Sequence, residues 1–386
     1  MKIAQIVFIP ANCAAGHFGI GHAVHNVSEE LVKMGHDVTV FTCASRGLKQ
    51  HKHNYKVRAL RPLFSFGHIF FAPQIWFYLK KFDVINIHYP FWGMLEIVAF
   101  YKFFHRKNCR VIISYDVDVI ASGFKKKVLK WQYRHALPFV VRNTDKIIVS
   151  STEYVASSDV FGGYYFRNKR IFAEIPFGVP DTFYPEPKKT DLLAKYGISK
   201  DAFILLFVGI LDRSRYYKGV NYLIDSLKFL GDSVCLLIVG DGEMRHFYEK
   251  KAEEKGVSRR AIFTGYVSAE RLRDHYNLAD VFVLASINRC EAFSAPLIEA
   301  MACGKPLVVS NLKGVRSVVN PGINGMLVEP KNSVDIADKI KFLLEKPQLM
   351  ADMGKNALSI VENKYRWPNV TKKLEAVYKR ALRREG

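Results

Sequence analysis

The stretch 288–310, NRCEAFSAPLIEAMACGKPLVVS, places two carboxylates, Glu291 and Glu299, eight positions apart with small and apolar residues between them. The preceding run VFVLASINRC brings a strand to a loop carrying Glu291, and SAPLIEAMACG reads as a short helix ended by Gly304, with Glu299 two turns in. Carboxylates so placed need not touch. The free amides near Phe293 and Ser294, at the helix start, form an anion site between them. One glutamate can accept from a sugar hydroxyl and the other from a ribose hydroxyl, with a diphosphate held in between. That constellation suits a nucleotide sugar.

Two more loops offer anion chemistry. In ILDRSRYYKGVNYLI, Arg213, Arg215 and Lys218 lie just before a helical pattern, where the helix dipole and free amides favour a diphosphate. In AAGHFGIGHAVHN, Gly16, Gly19 and Gly21 precede a helix and would let backbone amides approach an anion. Their spacing is not G-x-G-x-x-G, and a tight turn explains them equally well. The turn VGDGEMRHF is of low specificity by itself.

These loops need strands to carry them. Continuous apolar runs, KIAQIVFI, DVTVFT, DVINIH, RVIISYD and KIIVSS, then FILLFVG, VCLLIVG, AIFTG, VFVLAS and PLVVS, alternate twice over with helical patterns such as GIGHAVHNVSEELVKMG and KGVNYLIDSLKFL. Such runs indicate parallel sheets covered on both faces, so the fold expected is α/β with two doubly wound Rossmann-like domains facing across a cleft. The Pro-rich stretch 175–191 is the natural linker. The boundaries expected are 1–180 for an N-terminal acceptor-binding domain and 181–364 for a nucleotide-sugar-binding domain. Residues 365–386 form a helix, opened by WP, that returns to the first domain. Ligands bind beyond the carboxyl ends of such strands.

The 386 residues suit two α/β domains, and 49% hydrophobic against 24% charged residues leaves no case for disorder. Six scattered cysteines, Cys13, Cys43, Cys109, Cys235, Cys290 and Cys303, suggest neither a zinc site nor a disulfide framework and fit a reducing cytosol. MKIAQIVFIPAN reads as a first strand and not as a signal peptide, and the aromatic run 64–79 is too short and interrupted to span a membrane. The net charge of +21 is uneven: residues 51–146 hold 17 Lys and Arg against 5 Asp and Glu. Aromatics interleave with these cations in YKFFHRKNCR and GFKKKVLKWQYRH, the pattern of helices that lie on anionic bilayers. No helix-turn-helix, zinc-finger or RNA-recognition signature accompanies the charge, which argues against nucleic acid as partner.

Glu291, Phe293 at the second place after it and Glu299 at the eighth, followed by AMACGKPLVVS, resemble the signature of retaining glycosyltransferases of the GT-B fold, family 4, also called group 1. The resemblance covers nearly the whole chain, through LVKMGHDVTVFT, FDVINIHYP, DKIIVSSTEY, IPFGV, DRSRYYKG, VGDG, FTGYVSAERLRDHYNLADVFVLAS and NPGINGMLVEP in that order. It implies transfer of a hexosyl group from a nucleoside-diphosphate sugar, with retention, to a glycan or lipid-linked acceptor, with neither metal nor cofactor. Arg213 and Lys218 would hold the diphosphate, approached by Gly19 and Gly21 from the first domain. Glu291 would bind the transferred sugar, Glu299 the ribose, and the turn from Gly265 to Val267 the base. Arg215 is a second arginine where the family usually needs one.

Two departures stand out. Asp116, in IISYDVDVI, occupies a position near the reacting sugar carbon that is most often His, and Asp116-Val117-Asp118 imitates the Asp-x-Asp metal motif of the other glycosyltransferase fold. Asp116 could bond a sugar hydroxyl, stabilise positive charge at the sugar carbon, or merely cap a loop. Ser294 stands where the family prefers Gly. His88, in INIHYP, matches a recurring histidine that either contacts substrate or orients its loop. The competing classes are a nucleotide-sugar epimerase of the same architecture and a non-catalytic nucleotide-sugar-binding scaffold. The location expected is cytoplasmic, at the inner face of the membrane.

Overall fold

A computed structural model of the protein describes residues 1–10, 19–43, 53–66, 69–106, 109–119 and 123–383. Gly16 and Cys13 lie outside the described residues. The chain divides into two compact units, one of Met1–Phe177 with Trp367–Gly386 and the other of Gly178–Arg366.

The first unit carries β1 (Lys2–Pro10), β2 (Asp37–Cys43), β3 (Lys56–Leu60), a short antiparallel pair β4 (Phe64–Phe66) and β5 (Ile69–Phe71), then β6 (Val84–Tyr89), β7 (Arg110–Tyr115), β8 (Lys146–Val149) and β9 (Phe172–Glu174). Apart from the pair, these strands form one sheet in the order β3-β2-β1-β6-β7-β8-β9, every neighbour parallel. The second unit repeats the plan with β10 (Phe203–Val208), β11 (Val234–Val239), β12 (Ala261–Gly265), β13 (Val281–Leu284), β14 (Leu307–Ser310) and β15 (Gly325–Val328), in the order β12-β11-β10-β13-β14-β15. Both β7 and β11 are buried along their whole length, as parallel strands with covered faces must be.

Strand order reverses between β1 and β6 in one sheet and between β10 and β13 in the other. A crevice opens at the carboxyl ends of such a pair, because the following connections leave to opposite sides. The loops with chemistry follow these strands. Gly19 comes after β1 and His88 is the penultimate residue of β6; Asp212 to Lys218 follow β10 and Glu291 follows β13.

The sequence reading lacks β3, β9 and β15, all at sheet edges, and the separate pair β4 and β5. In β3 three of the five residues face solvent, so no continuous apolar run marks it, and β9 and β15 are only three and four residues long.

The helix Trp367–Leu382 packs on the helix Ile20–Lys33 and is part of the first unit. Its buried face, Trp367, Val370, Thr371, Leu374, Val377, Tyr378 and Ala381, recurs every three or four residues. Gln5 Nε2 donates to the Tyr378 hydroxyl at 3.3 Å, Arg110 Nε donates to the Ala381 carbonyl at 2.7 Å, and His36 Nε2 lies 2.8 Å from a Glu375 oxygen.

Candidate active site

In the second unit, the loop after β10 continues as a 3-10 helix, Arg213–Lys218, and then the helix Val220–Ser226. Gly219 joins them in the left-handed region, at φ 71°. A Cβ there would lie 1.9 Å from the Ala285 carbonyl oxygen, so only glycine lets this turn press against the end of β13. The turn sets Lys218 inward, where its Nζ is 2.7 Å from Glu291 Oε2, and both side chains are buried. Gly219→Ala is therefore expected to destabilise the unit by more than about 1 kcal/mol through strain and contact together, seen as a lower thermal midpoint.

Gly240 and Gly242 pack equally tightly on this loop. A Cβ on Gly240 would lie 2.0 Å from the Gly209 carbonyl, and one on Gly242 would lie 2.5 Å from Asp212 Oδ1. The Glu243 amide donates to Asp212 Oδ1 at 3.3 Å and the Arg213 amide donates to Glu243 Oε1 at 3.0 Å. The turn VGDGE thus fixes the base of the arginine loop. The side chains of Arg213 and Arg215 remain exposed, Arg215 Nη1 donating to the Tyr217 hydroxyl at 2.7 Å. Asp212, Glu243 and Tyr217 shape this loop through those bonds and were not singled out in the sequence.

The second carboxylate sits on the helix Ala295–Ala302, as its fifth residue. Glu299 accepts a hydrogen bond from the Tyr276 hydroxyl at 2.6 Å in a buried setting, and burial raises its carboxyl to about 7 despite that bond. Tyr276 is a further partner absent from the sequence reading. Ser294 is the N-cap residue, but its hydroxyl makes no capping bond and its Oγ is buried without a partner. The Ser294 hydroxyl is thus a buried polar group at the helix start whose hydrogen-bonding capacity is unused among the described residues. Phe293 beside it is half buried, its ring centroid 6.3 Å from that of Tyr365. Gly265 ends β12 at φ 72°, and Val267, two residues on, is half buried.

In the first unit, a polar chain crosses the sheet. Ser114 Oγ donates to Asn86 Oδ1 at 3.0 Å, Asn86 Nδ2 donates to Gln5 Oε1 at 2.9 Å, and His88 Nε2 lies 3.1 Å from the same Gln5 oxygen. That last contact assigns the His88 proton to Nε2, since Gln5 Oε1 can only accept. Nδ1 is left as an acceptor, 3.7 Å from Asp116 Oδ2, and neither atom has a hydrogen-bond partner. Both residues line a cavity of about 50 Å³ with Phe177 and Trp367, whose Nε1 is also unpartnered. Two acceptors side by side in a small cavity suit a ligand hydroxyl or a water that donates to either. Asp118 is engaged elsewhere: its Oδ1 accepts from the hydroxyls of Tyr115 and Ser158. The two aspartates of the Asp-x-Asp string thus serve different neighbours. Gly19 is the N-cap residue of the helix Ile20–Lys33, at φ 78°, and Gly21 is buried within its first turn.

Two Rossmann-like units, each built on a parallel sheet with polar and charged side chains at the carboxyl ends of its strands, match the GT-B class of fold. The profile of Glycosyl transferases group 1 matches residues 188–359 and that of Glycosyltransferase Family 4 matches residues 19–157. The EpsD glycosyltransferase-family protein of Bacillus subtilis is 31% identical over 71% of this chain and 70% of its own length. A glycosyltransferase of Methanocaldococcus jannaschii is 28% identical over the full length of both chains, and the D-rhamnosyltransferase WbpZ of Pseudomonas aeruginosa is 29% identical over 71% of this chain and 68% of its own. Among solved structures, HepE of Anabaena in complex with UDP superposes with a TM-score of 0.78 at 20% identity, covering 98% of this chain and 100% of that one. The chain belongs to the group 1, family 4 glycosyltransferases.

Proposed function

We propose that the protein is a retaining, metal-independent hexosyltransferase that moves a sugar from a nucleoside diphosphate to a glycan or lipid-linked acceptor. The observation that carries this reading is the buried Lys218–Glu291 pair at 2.7 Å, a cation and a carboxylate beside the helix whose N-cap residue is Ser294. Breaking the bond between sugar carbon and phosphate oxygen puts negative charge on the diphosphate and oxocarbenium character on the sugar. Lys218 and Arg213, with the amides near Phe293 and Ser294, stabilise the first where it develops. Glu291 accepts from hydroxyls of the transferred sugar, Glu299 from those of the ribose, and the turn from Gly265 to Val267 receives the base. The acceptor hydroxyl enters on the face the diphosphate leaves and passes its proton to the departing phosphate oxygen, so no protein nucleophile is needed. Gly19, Gly21 and Asp116 belong to the first unit and enter through the family resemblance. HepE, whose fold this chain shares, was solved with UDP, which makes a uridine donor the first to try.

Purified protein incubated with chelator and a panel of UDP-, GDP-, ADP- and dTDP-sugars is expected to show one donor that raises the thermal midpoint and slowly releases free nucleotide. Ligand at about 100 times its dissociation constant stabilises the native state by about 2.7 kcal/mol. If no donor responds until a divalent ion is added, transfer is metal-dependent; silence under both conditions favours a scaffold.

The acceptor is proposed to reach the first unit at an anionic membrane surface, which would place the protein at the inner face of the cell membrane. On the helices Met94–Phe104 and Gly123–His135, Phe100, Phe103, Phe104 and Trp131 are exposed, alongside exposed Lys127, Lys130 and Arg134. Lys102 and Arg110 belong to the same basic stretch but are buried, with Lys102 bonded to Asp145 and the Cys109 carbonyl. No helix among the described residues is long and apolar enough to cross a membrane. Sedimentation with phosphatidylglycerol vesicles at low salt is expected to carry the protein down, and raising the salt to release it. Protein left in the supernatant at low salt removes this part of the proposal.

A further inference from the structure

In the first unit, two imidazoles and a carboxylate converge beside the helix Ile20–Lys33. His25 and Glu29 are one turn apart on the helix Ile20–Lys33, and His53 lies on the chain that enters β3. One ligating atom from each falls within 4.8 Å of the other two. We propose that His25, Glu29 and His53 bind a divalent transition-metal ion, zinc being the type that their donor set fits best.

The donors suit such an ion chemically. Two imidazoles and a carboxylate with a solvent position form a standard zinc ligand set, whereas magnesium and calcium prefer oxygen alone. Around a tetrahedral zinc at ordinary bond lengths the donor atoms stand about 3.4 Å apart, so closing onto an ion asks for side-chain adjustments of about 1 Å. The groups are also held from behind. His25 Nδ1 is 2.9 Å from the Tyr55 hydroxyl, a contact that orients the imidazole ring on its helix. Glu29 accepts from the Asn54 amide at 3.1 Å and from Asn54 Nδ2 at 2.6 Å, which fixes the carboxylate while two lone-pair positions stay available. The His53 ring stacks on Tyr55, with centroids 4.8 Å apart. Histidine and glutamate one turn apart lie on one helix face, and the third ligand comes from residues 53–55, which also supply the supporting Asn54 and Tyr55.

The site is separate from the proposed transfer chemistry. On that helix Ala23 and Val27 line the cavity of Asp116, and at 100° per residue His25 and Glu29 point to the opposite side. The ion would therefore tie the helix Ile20–Lys33 to the chain entering β3 and take no part in sugar transfer.

The test is equilibrium dialysis of the chelator-stripped full chain against zinc, with metal counted per protein, and thermal unfolding in parallel. Wild type should bind one equivalent more than either His53→Gln or Glu29→Gln, and zinc should raise its midpoint but not theirs. His246→Ala, which removes an exposed histidine on another helix, should keep that equivalent. Magnesium at the same concentration should neither bind nor stabilise. Equal zinc binding by wild type and both glutamine variants, or none by wild type, overturns the proposal. Two partly exposed ligands are replaced separately, so loss of folding in one variant leaves the other as the test.

Discussion

Lys218→Met is expected to lower turnover about 10²- to 10³-fold and to destabilise the protein, while Lys218→Met combined with Glu291→Gln recovers most of the stability and none of the turnover. The reasoning begins with burial. Lys218 and Glu291 are 5–9% exposed and 2.7 Å apart, so removing the lysine strands a carboxylate in a low-dielectric setting. Breaking such a pair from one side costs about 3–5 kcal/mol, whereas neutralising both partners is close to neutral. Turnover follows a different logic. A cation that stabilises a leaving diphosphate contributes only as the charge develops, and removing one such donor costs about 10²- to 10³-fold in rate. The check is a denaturant melt of the single and double variants beside the rate of nucleotide release. A double variant that recovers turnover together with stability would show that the pair is structural.

Glu299→Gln is expected to make the ligand-free protein more stable than wild type at pH 8, by about 3 kcal/mol, with the difference vanishing near pH 4.5. Burial raises the Glu299 carboxyl from 4.5 to about 7 in the folded state. A raised carboxyl favours folding relative to its ionised form only while protonated. Stability is therefore fully present below pH 4.5 and falls as pH rises through about 7, by about 1.4 kcal/mol for each pH unit between the two values. The amide has the shape of the protonated acid and still accepts from Tyr276, so it removes this decline. Donor binding should show the reverse. Ribose hydroxyls donate to the ionised carboxylate, so donor affinity in wild type should rise through pH 7 and stay flat in the variant. Chemical unfolding at pH 5, 6, 7 and 8 measures the first effect and donor titration the second; parallel stability profiles for the two proteins contradict the assignment.

The loops after β10 and β13 were legible because their residue types are unusual where they stand. A lysine before a glycine, and glutamates flanking the entry to an apolar helix, have few structural uses at the end of a buried strand. Central strands were legible for a related reason: parallel strands covered on both faces are apolar throughout. The edge strand Lys56–Leu60 gave no such run, because three of its five residues face water. The basic stretch 51–146 was read as surface charge, yet Lys102 and Arg110 turn inward to satisfy Asp145 and backbone carbonyls. Composition counts charges without saying which way they face.

Partnerships across the chain carry no mark in the linear order. Lys218 meets Glu291 across 73 residues, Tyr276 meets Glu299 across 23, and Gln5 reaches Tyr378 across 373. The chain by itself determined the alternation of buried strands and helices, hence two doubly wound sheets, and the residue types carried by the loops that follow them. Tertiary structure alone decided which carboxylate is paired with a cation and which is left with a hydroxyl. It also faced Asp116 toward His88 and gathered two histidines and a glutamate around Tyr55. Periodicity fixes the face on which a side chain leaves its element, but the neighbour it meets depends on which strands adjoin, through contacts far apart in sequence.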